Sequence, residues 1–354
     1  MEILAITTTR IDETAPFRHG GGIAFFMNIL PYLTKKHNIS LVAPSESGKA
    51  IDFEYMGANV SLTGNKLDFP RYNKSLISNP PGRFDACLLL EPIAIVLFAR
   101  KRKKLDRKVV GVAHHFFRPH MDVKLAVRAP LAAASLPLEV ILEPLVRKAF
   151  GSLDSVIVSS DVFVDHLKKL GAKRTHLIEI GIPERYKPGR KENYAVVVSR
   201  LEGYKQVDKC IRAAREANVN LHIVGEGSAG KGLKKLGWAE FHGYLAEDKK
   251  IELLGGAKFL LSMSMVEGFG MTLVEGMACG AVPVVSDIPA HRFVLGESGV
   301  GMLVRSWEEM RDSLTWLIEN EQERKKMARK GLRLVKKRFT ARRMAERYME
   351  ILEG

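Results

Sequence analysis

The sequence predicts an α/β protein built from two Rossmann-like domains that face each other across a cleft. Three observations predict it. Short apolar strand segments alternate with helical segments in both halves of the chain, and alternation of this kind means parallel strands with helices on the sheet faces. The polar, basic stretch Gly181 to Lys191, punctuated by Pro183, Pro188 and Gly189, interrupts that alternation and reads as a linker. A length of 354 residues suits two ordinary domains.

In the first half, Glu2 to Thr8, Ile39 to Ala43, Phe84 to Glu91, Lys108 to His114 and Ser155 to Ser160 are apolar runs of strand length. A second series comprises Tyr194 to Arg200, Val219 to Val224, Glu240 to Gly243, Lys258 to Ser262 and Ala281 to Ser286, with helices expected at Lys205 to Ala217 and Thr272 to Cys279. Boundaries follow: a first domain over 1–183, a second over 184–335, and a C-terminal helix over 336–354. The charged segment Glu321 to Leu352 carries apolar residues at helical spacing. Its end is expected either to cap the second sheet or to return to the first domain.

Composition narrows the class. Cys87, Cys210 and Cys279 are far apart in apolar or helical contexts, which indicates neither a disulfide framework nor a clustered metal site. The chain starts directly on a strand and its most apolar stretch, Ala86 to Ala99, contains Glu91 and Pro92. A secretory signal and a membrane span are therefore not expected, and the expected location is cytoplasmic. The 55 Lys and Arg against 40 Asp and Glu leave a net charge of +15, which predicts an anionic partner without naming it. The basic runs Arg100 to Lys104 and Arg324 to Lys326 also fit solvated helix faces.

The most informative segment is Ser264 to Gly280, where Glu267 and Glu275 stand eight positions apart around Gly268-Phe269-Gly270. Apolar strand precedes it and helix follows, so the glutamates frame a strand-to-helix loop. Glycines let the backbone turn tightly and expose its N–H groups. Amides at a helix start form a site for a phosphate or a polarised hydroxyl. Two carboxylates would repel a bare phosphate, so the spacing suggests a ligand carrying sugar hydroxyls on both sides of its phosphates. Phe269, Gly270, Met271 and Thr272 are the candidate backbone contacts.

Other candidates surround the same expected cleft, because open parallel sheets bind ligands beyond the carboxyl ends of their strands. Arg200 ends a strand and Lys205 opens the next helix, and two cations there would neutralise a diphosphate and the charge growing on it as a leaving group. Gly20-Gly21-Gly22 after the first strand permits close backbone approach but matches neither the dinucleotide fingerprint nor the P-loop. His114 and His115 end a first-domain strand, and the strand's phase does not say which faces inward. No Asp-x-Asp and no His/Cys set at zinc spacing occurs. The segment between His115 and Ser155, apolar with Lys124, Arg128, Arg147 and Lys148, fits either inter-helix core or a membrane interface.

Taken together these residues resemble the retaining glycosyltransferases of the GT-B class, family 4 type, over nearly the whole chain. The resemblance rests on Gly20-Gly21-Gly22, His114, the turn Glu179 to Pro183, the pair Arg200 and Lys205, the Glu-x7-Glu spacing of Glu267 and Glu275, and the run Ala278 to Val285. It favours His114 over His115. It implies that Glu267 and the amides of Phe269 to Met271 hold the transferred sugar, that Glu275 binds ribose hydroxyls, and that Arg200 and Lys205 grip the diphosphate. It implies a nucleotide-diphosphate sugar as donor, a hydroxyl acceptor on a lipid or glycan, retention at the anomeric carbon, and no metal or other cofactor. A peripheral site on the cytoplasmic membrane face fits the basic charge. A nucleotide-sugar epimerase of similar fold, a non-catalytic sugar-nucleotide module and a nucleic-acid binder are the alternatives. Nucleic acid explains the charge but not the acidic loop.

Overall fold

The computed structural model describes residues 1–11, 20–63, 83–99, 107–114 and 136–354. Residues 12–19, 64–82, 100–106 and 115–135 lie outside it, and with them His115, the basic run 100–104 and the first part of the apolar segment before Ser155. The described residues form two compact units, one of residues up to 114, 137–181 and 341–354, the other of 182–340.

The first unit opens with β1 (Glu2–Ile6), α1 (Gly20–Leu33), β2 (Asn38–Pro44), β3 (Ile51–Tyr55) and β4 (Ala58–Thr63). It continues with β5 (Ala86–Leu89), α2 (Pro92–Ala99), β6 (Lys108–Val112), α3 (Leu136–Gly151), β7 (Ser155–Val158), α4 (Val164–Lys169) and β8 (Thr175–Leu177). The strands form one sheet in the order β3-β4-β2-β1-β5-β6-β7-β8. Every pairing is parallel except β3 with β4. Residues 3–6 of β1 are all buried, as are all of β5 and β7. Burial on both faces is what continuous apolar runs mean in a helix-covered parallel sheet.

The hairpin β3–β4 departs from the sequence expectation, which placed no strands there. Its turn residues Met56 and Gly57 both take positive φ, at 50° and 78°. Asn-Gly is the usual signature of such a turn. Met56 hides it; the strained residue is steadied by Thr34, whose Oγ1 donates to the Met56 carbonyl at 2.9 Å. The short strand β8 was also not anticipated.

In the second unit run β9 (Tyr194–Val198), α5 (Val207–Glu216), β10 (Asn220–Val224), α6 (Gly230–Lys234), β11 (Ala239–Gly243), α7 (Glu247–Gly256) and β12 (Phe259–Ser262). They are followed by α8 (Met271–Ala278), β13 (Val282–Ser286), α9 (Pro289–Leu295), β14 (Met302–Val304), α10 (Trp307–Glu319) and α11 (Glu321–Arg338). The sheet is wholly parallel, in the order β11-β10-β9-β12-β13-β14. From β9 the chain winds outward to β11, then crosses back to place β12 on the other flank of β9. That reversal is the topological switch of a Rossmann sheet, where ligands bind beyond the strand ends. Alternate residues of β9, β10 and β12 (Ala195, Val197, Leu221, Ile223, Phe259, Leu261) enter one core with Val207, Ile211 and Leu314 from α5 and α10.

The helical C-terminus breaks at Phe339-Thr340, so α11 runs through Arg338 and α12 (Ala341–Glu353) follows. The expected helix boundary at 335/336 therefore falls inside α11. α12 belongs to the first unit and packs on α1. Its buried residues Ala341, Met344, Ala345, Tyr348, Met349 and Leu352 form one helical stripe. All three cysteines are buried and unpaired in disulfides.

The stretch read as a linker holds structure of its own. Lys191 Nζ donates to the carbonyls of Gly255, Ala257 and Cys279 at 2.9, 2.8 and 2.6 Å. One ammonium thus caps the carbonyl ends of α7 and α8, where partial negative charge accumulates. Lys191→Met would strand these acceptors. Since a hydrogen bond to a charged group contributes about 1.5–3 kcal/mol, the variant should lose about 3 kcal/mol in urea unfolding. Unchanged stability would show that water replaces the ammonium freely.

Candidate functional site

The site assembles at the switch between β9 and β12. After β9 the chain passes through Ser199-Arg200-Leu201 into a 3-10 turn, Gly203–Lys205, and Gln206 takes φ 48° before α5 starts at Val207. Lys205 therefore ends a turn of its own and does not open the helix. Gly225 and Gly227 brace this loop: a Cβ on Gly225 would lie 1.9 Å from the Ser199 carbonyl oxygen, and one on Gly227 2.5 Å from that of Leu201. Only glycine permits so close an approach of two loops. Gly225-Glu226-Gly227 was not singled out from the sequence, although a Gly-x-Gly after a strand could have marked it.

After β12, the loop from Met263 to Gly270 comes back to this turn, with the Met265 N–H donating to the Tyr204 carbonyl at 2.9 Å. Glu267 Oε1 accepts from Lys205 Nζ at 2.5 Å and from Ser264 Oγ at 2.7 Å. The two charged side chains are 12% and 19% exposed, so the pair is largely shielded from water. Burial alone would raise the Glu267 pKa; Lys205 and Ser264 overcome it and hold the carboxyl below its usual range. Arg200 Nη2 donates to the Tyr204 hydroxyl at 2.8 Å, and Lys205 Nζ lies 5.2 Å from the centroid of the same ring. The two cations thus flank Tyr204, with Arg200 exposed.

Gly270, at φ 88° and ψ 50°, is the N-cap of α8, so Met271 and Thr272 open the helix with N–H groups that no preceding turn satisfies. Phe269 turns inward: it is 3% exposed and packs edge-on against Phe293 and Phe339. Its side chain is core, which leaves only its backbone for ligand contact.

His291 was missed by sequence reasoning. It is fully buried, and its Nδ1 lies 2.8 Å from the Ser286 carbonyl oxygen, an arrangement that requires Nδ1 to carry the proton. Nε2 is then an acceptor, buried and without a partner, on a ring that lies beside Gly270. Burial lowers the His291 pKa and keeps the ring neutral.

Glu275, just over one turn into α8, belongs to a separate polar cluster. Its Oε1 accepts from Tyr186 Oη at 2.9 Å and from Lys250 Nζ at 3.2 Å. Lys250 also pairs with Glu247 Oε2 at 3.0 Å, and Tyr186 Oη touches Glu247 Oε1. Oε2 of Glu275 is buried without a partner. Burial raises the Glu275 pKa, Lys250 opposes the rise, and Glu247 adds to it. Tyr186 lies in the stretch read as a linker, and Glu247 and Lys250 look like an ordinary helix-surface pair, so nothing in the sequence tied them to Glu275.

The remaining sequence candidates sit in the first unit. Gly21 and Gly22 lie in the first turn of α1, which begins at Gly20. His114 follows β6, is 2% exposed, packs edge-on against Phe25, and places Nε2 3.0 Å from the Tyr348 hydroxyl of α12. Within its unit it holds the terminal helix. The structure thus brings together Arg200, Lys205, Glu267, Gly270, Met271 and Thr272. Glu275 lies on the same helix with partners of its own.

One assembly has no counterpart in the sequence reading, which found no metal-ligand spacing: His222, Glu240 and His242 converge from β10 and β11.

Residues 182–333 match the family model of glycosyl transferases group 1. An uncharacterized glycosyltransferase of Methanocaldococcus jannaschii is 26% identical over 153 residues, 41% of this chain and 44% of the relative. A GDP-mannose:cellobiosyl-diphosphopolyprenol alpha-mannosyltransferase of Xanthomonas oryzae is 31% identical over 96 residues, 27% of this chain and 25% of the relative. The chain spans under half the length of these curated relatives. Among solved structures, Anabaena HepE in complex with UDP and glucose superposes with a TM-score of 0.77 at 17% identity, covering 100% of this chain and 99% of that one.

The Lys205–Glu267 pair makes a direct test of the local electrostatics. Because Glu267 has a folded pKa below its unfolded value, its contribution is present above the usual carboxylate range and is lost as pH falls through the folded pKa. Lys205→Met should cost about 3 kcal/mol at neutral pH, the scale of breaking a buried pair. The difference from the parent should shrink in acid, where Glu267 is protonated in both. Urea unfolding across pH measures it, and a pH-independent difference would contradict the assignment. The overall fold is GT-B, two Rossmann-like domains in one chain, and through its second unit the chain is related to the glycosyl transferases group 1.

Proposed function

We propose that this chain is a retaining glycosyltransferase of the family 4 type, which moves a sugar from a nucleotide-diphosphate sugar to an acceptor hydroxyl. The observation that carries the reading is the cluster of Lys205, Glu267 and Ser264 at the β9/β12 switch, beside the start of α8. A carboxylate acceptor, a cation with spare N–H groups and helix-start amides suit a ligand that carries both hydroxyls and phosphate. HepE, the structural relative, is described with UDP and glucose, which supports a nucleotide-sugar donor for this fold.

In the proposed reaction the acceptor oxygen attacks the anomeric carbon from the face that the diphosphate leaves. The C–O bond to phosphate breaks with its electron pair going to the phosphate oxygen, and the acceptor's proton passes to that leaving group. Lys205 and Arg200 stabilise the charge that develops there, so the chemistry is read as metal-independent. Glu267 orients the sugar; no covalent nucleophile is assigned. Glu275, its Oε1 pinned by Lys250 and Tyr186, offers Oε2 to the ribose hydroxyls. The first unit is read as the acceptor domain, with Gly21, Gly22 and His114 on the acceptor side.

The proposed acceptor is a lipid-linked glycan, handled on the cytoplasmic face of a membrane. The net charge of +15 and the similarity to a diphosphopolyprenol-dependent mannosyltransferase support it. Among the described residues no helix is long and apolar enough to cross a membrane, so attachment is proposed to be peripheral. The protein should sediment with vesicles containing anionic lipid, lose that association at high salt, and leave neutral vesicles alone. Equal binding to both vesicle types, or to neither, would remove the membrane from the proposal.

Transfer itself is tested by incubating the protein with a panel of nucleotide sugars and acceptors. The expected products are a free nucleoside diphosphate and a glycoside whose anomeric configuration, read by NMR, matches the donor. Lys205→Ala and Glu267→Gln should each lower kcat by about 10²–10³, the scale for loss of one preorganised electrostatic contact. An isomerised nucleotide sugar would indicate an epimerase instead. Turnover untouched by both substitutions would place the chemistry elsewhere.

A further inference from the structure

Alternate residues of β10 and β11 face the core: Leu221 and Ile223 from one strand, Ala239 and Phe241 from the other. The opposite face of the same two strands carries His222, Glu240 and His242. β10 and β11 pair His222 with Glu240 and Ile223 with Phe241, and the register then shifts so that Val224 meets Gly243. His242 is the residue left over, a bulge that re-aims its side chain, closed by Gly243 at φ 63°. The result is a convergence of two imidazole nitrogens and the carboxylate of Glu240. His222 Nδ1 lies 2.9 Å from His242 Nε2, 3.5 Å from Glu240 Oε2, and His242 Nε2 lies 3.6 Å from Glu240 Oε1.

We propose that His222, Glu240 and His242 form a binding site for a divalent late first-row transition ion, of which Zn²⁺ is the expected occupant. The separations carry the argument. A tetrahedral ion with ligands at about 2.0–2.1 Å places its donor atoms about 3.3–3.4 Å apart, so the imidazole pair at 2.9 Å opens by a few tenths of an ångström and the exposed Glu240 carboxylate turns one oxygen toward both nitrogens, which already lie 3.5 and 3.6 Å from its two oxygens. The chemistry agrees: two imidazoles and one carboxylate suit Zn²⁺, Co²⁺ or Ni²⁺, whereas Mg²⁺ and Ca²⁺ prefer all-oxygen sets. Without a cation, the close nitrogen pair shares one proton, with the two carboxylate oxygens of Glu240 3.5 and 3.6 Å from the same nitrogens. A metal ion satisfies all three acceptors at once. His222 is held in place by the Tyr194 ring, edge-on at 4.5 Å. Both histidine side chains are 20% exposed and Glu240 is 66% exposed. An ion could therefore enter from solvent and keep a water as its fourth ligand.

The ion would bridge β10 to β11, the edge strand of the second sheet, and so act on stability. It takes no part in the transfer reaction proposed above, and the tests of the two do not overlap.

The full-length protein, stripped with a chelator, is titrated with Co²⁺ and with Zn²⁺ by calorimetry and by the visible absorption of Co²⁺. One equivalent should bind with the intense d–d bands of tetrahedral coordination, Mg²⁺ should not compete, and Zn²⁺ should raise the thermal unfolding temperature. His242→Ala and Glu240→Gln, checked by circular dichroism for an intact fold, should each weaken binding by ~100-fold or more, at or beyond the cost of losing an outer-shell partner. The thermal shift should vanish with them. Binding at parental affinity in both variants, or no saturable binding in the parent, would overturn the assignment.

Discussion

A carboxylate largely withdrawn from water has to be met by a cation or give up its charge, and Glu267 is met by Lys205. That requirement ties together two loops from opposite sides of the switch in the second sheet. Each loop is shaped by further constraints: Gly225 and Gly227 let the chain after β10 press on the Arg200 loop, and Ser264 and Gly270 turn the chain after β12 into α8. Removing the ion pair would leave the Met265 N–H to Tyr204 carbonyl hydrogen bond to hold the two loops together. The sheet order sets where this happens, because only between β9 and β12 does the chain wind away in two directions.

The two glutamates of the spaced motif are shifted in opposite directions. Glu267, with Lys205 and Ser264, is kept ionised below the usual range. Glu275, more deeply buried and sharing Lys250 with Glu247, is pushed upward. At Glu275 burial outweighs Lys250 and the nearby Glu247 carboxylate adds to the rise, whereas at Glu267 Lys205 and Ser264 more than offset burial. The carboxylate with a cation of its own is suited to steady charge near a reacting centre. The other, with one oxygen fixed and one free of partners, is suited to accept hydrogen bonds from neutral hydroxyls. In the proposed function, the loop before α8 and the helix itself would thus serve two parts of one extended ligand.

Much of this was legible in the sequence because parallel strands buried on both faces must be continuous apolar runs. Tyr194 to Arg200 and Lys258 to Ser262 stood out on that ground, and the Gly-Phe-Gly turn between Glu267 and Glu275 marked the loop. Features that depend on residues meeting from distant strands were not legible. His222 and His242 meet only through the pairing of β10 with β11, Tyr186 reaches Glu275 from a stretch that reads as connecting chain, and His291 approaches Gly270 from α9. Conformational exceptions hid as well: Met56 and Gln206 take left-handed backbone that their side chains do not advertise. His114 was legible as a strand-end histidine, but its partner Tyr348 comes from the other end of the chain.

A crystal structure of the protein with a nucleoside diphosphate bound would show whether the Lys205–Glu267 switch is the donor site. The pyrophosphate is expected within hydrogen-bonding distance of Lys205 Nζ and the first amides of α8, with the ribose hydroxyls on Glu275 Oε2. A nucleotide bound away from the β9/β12 switch, leaving the Lys205–Glu267 pair untouched, would contradict it.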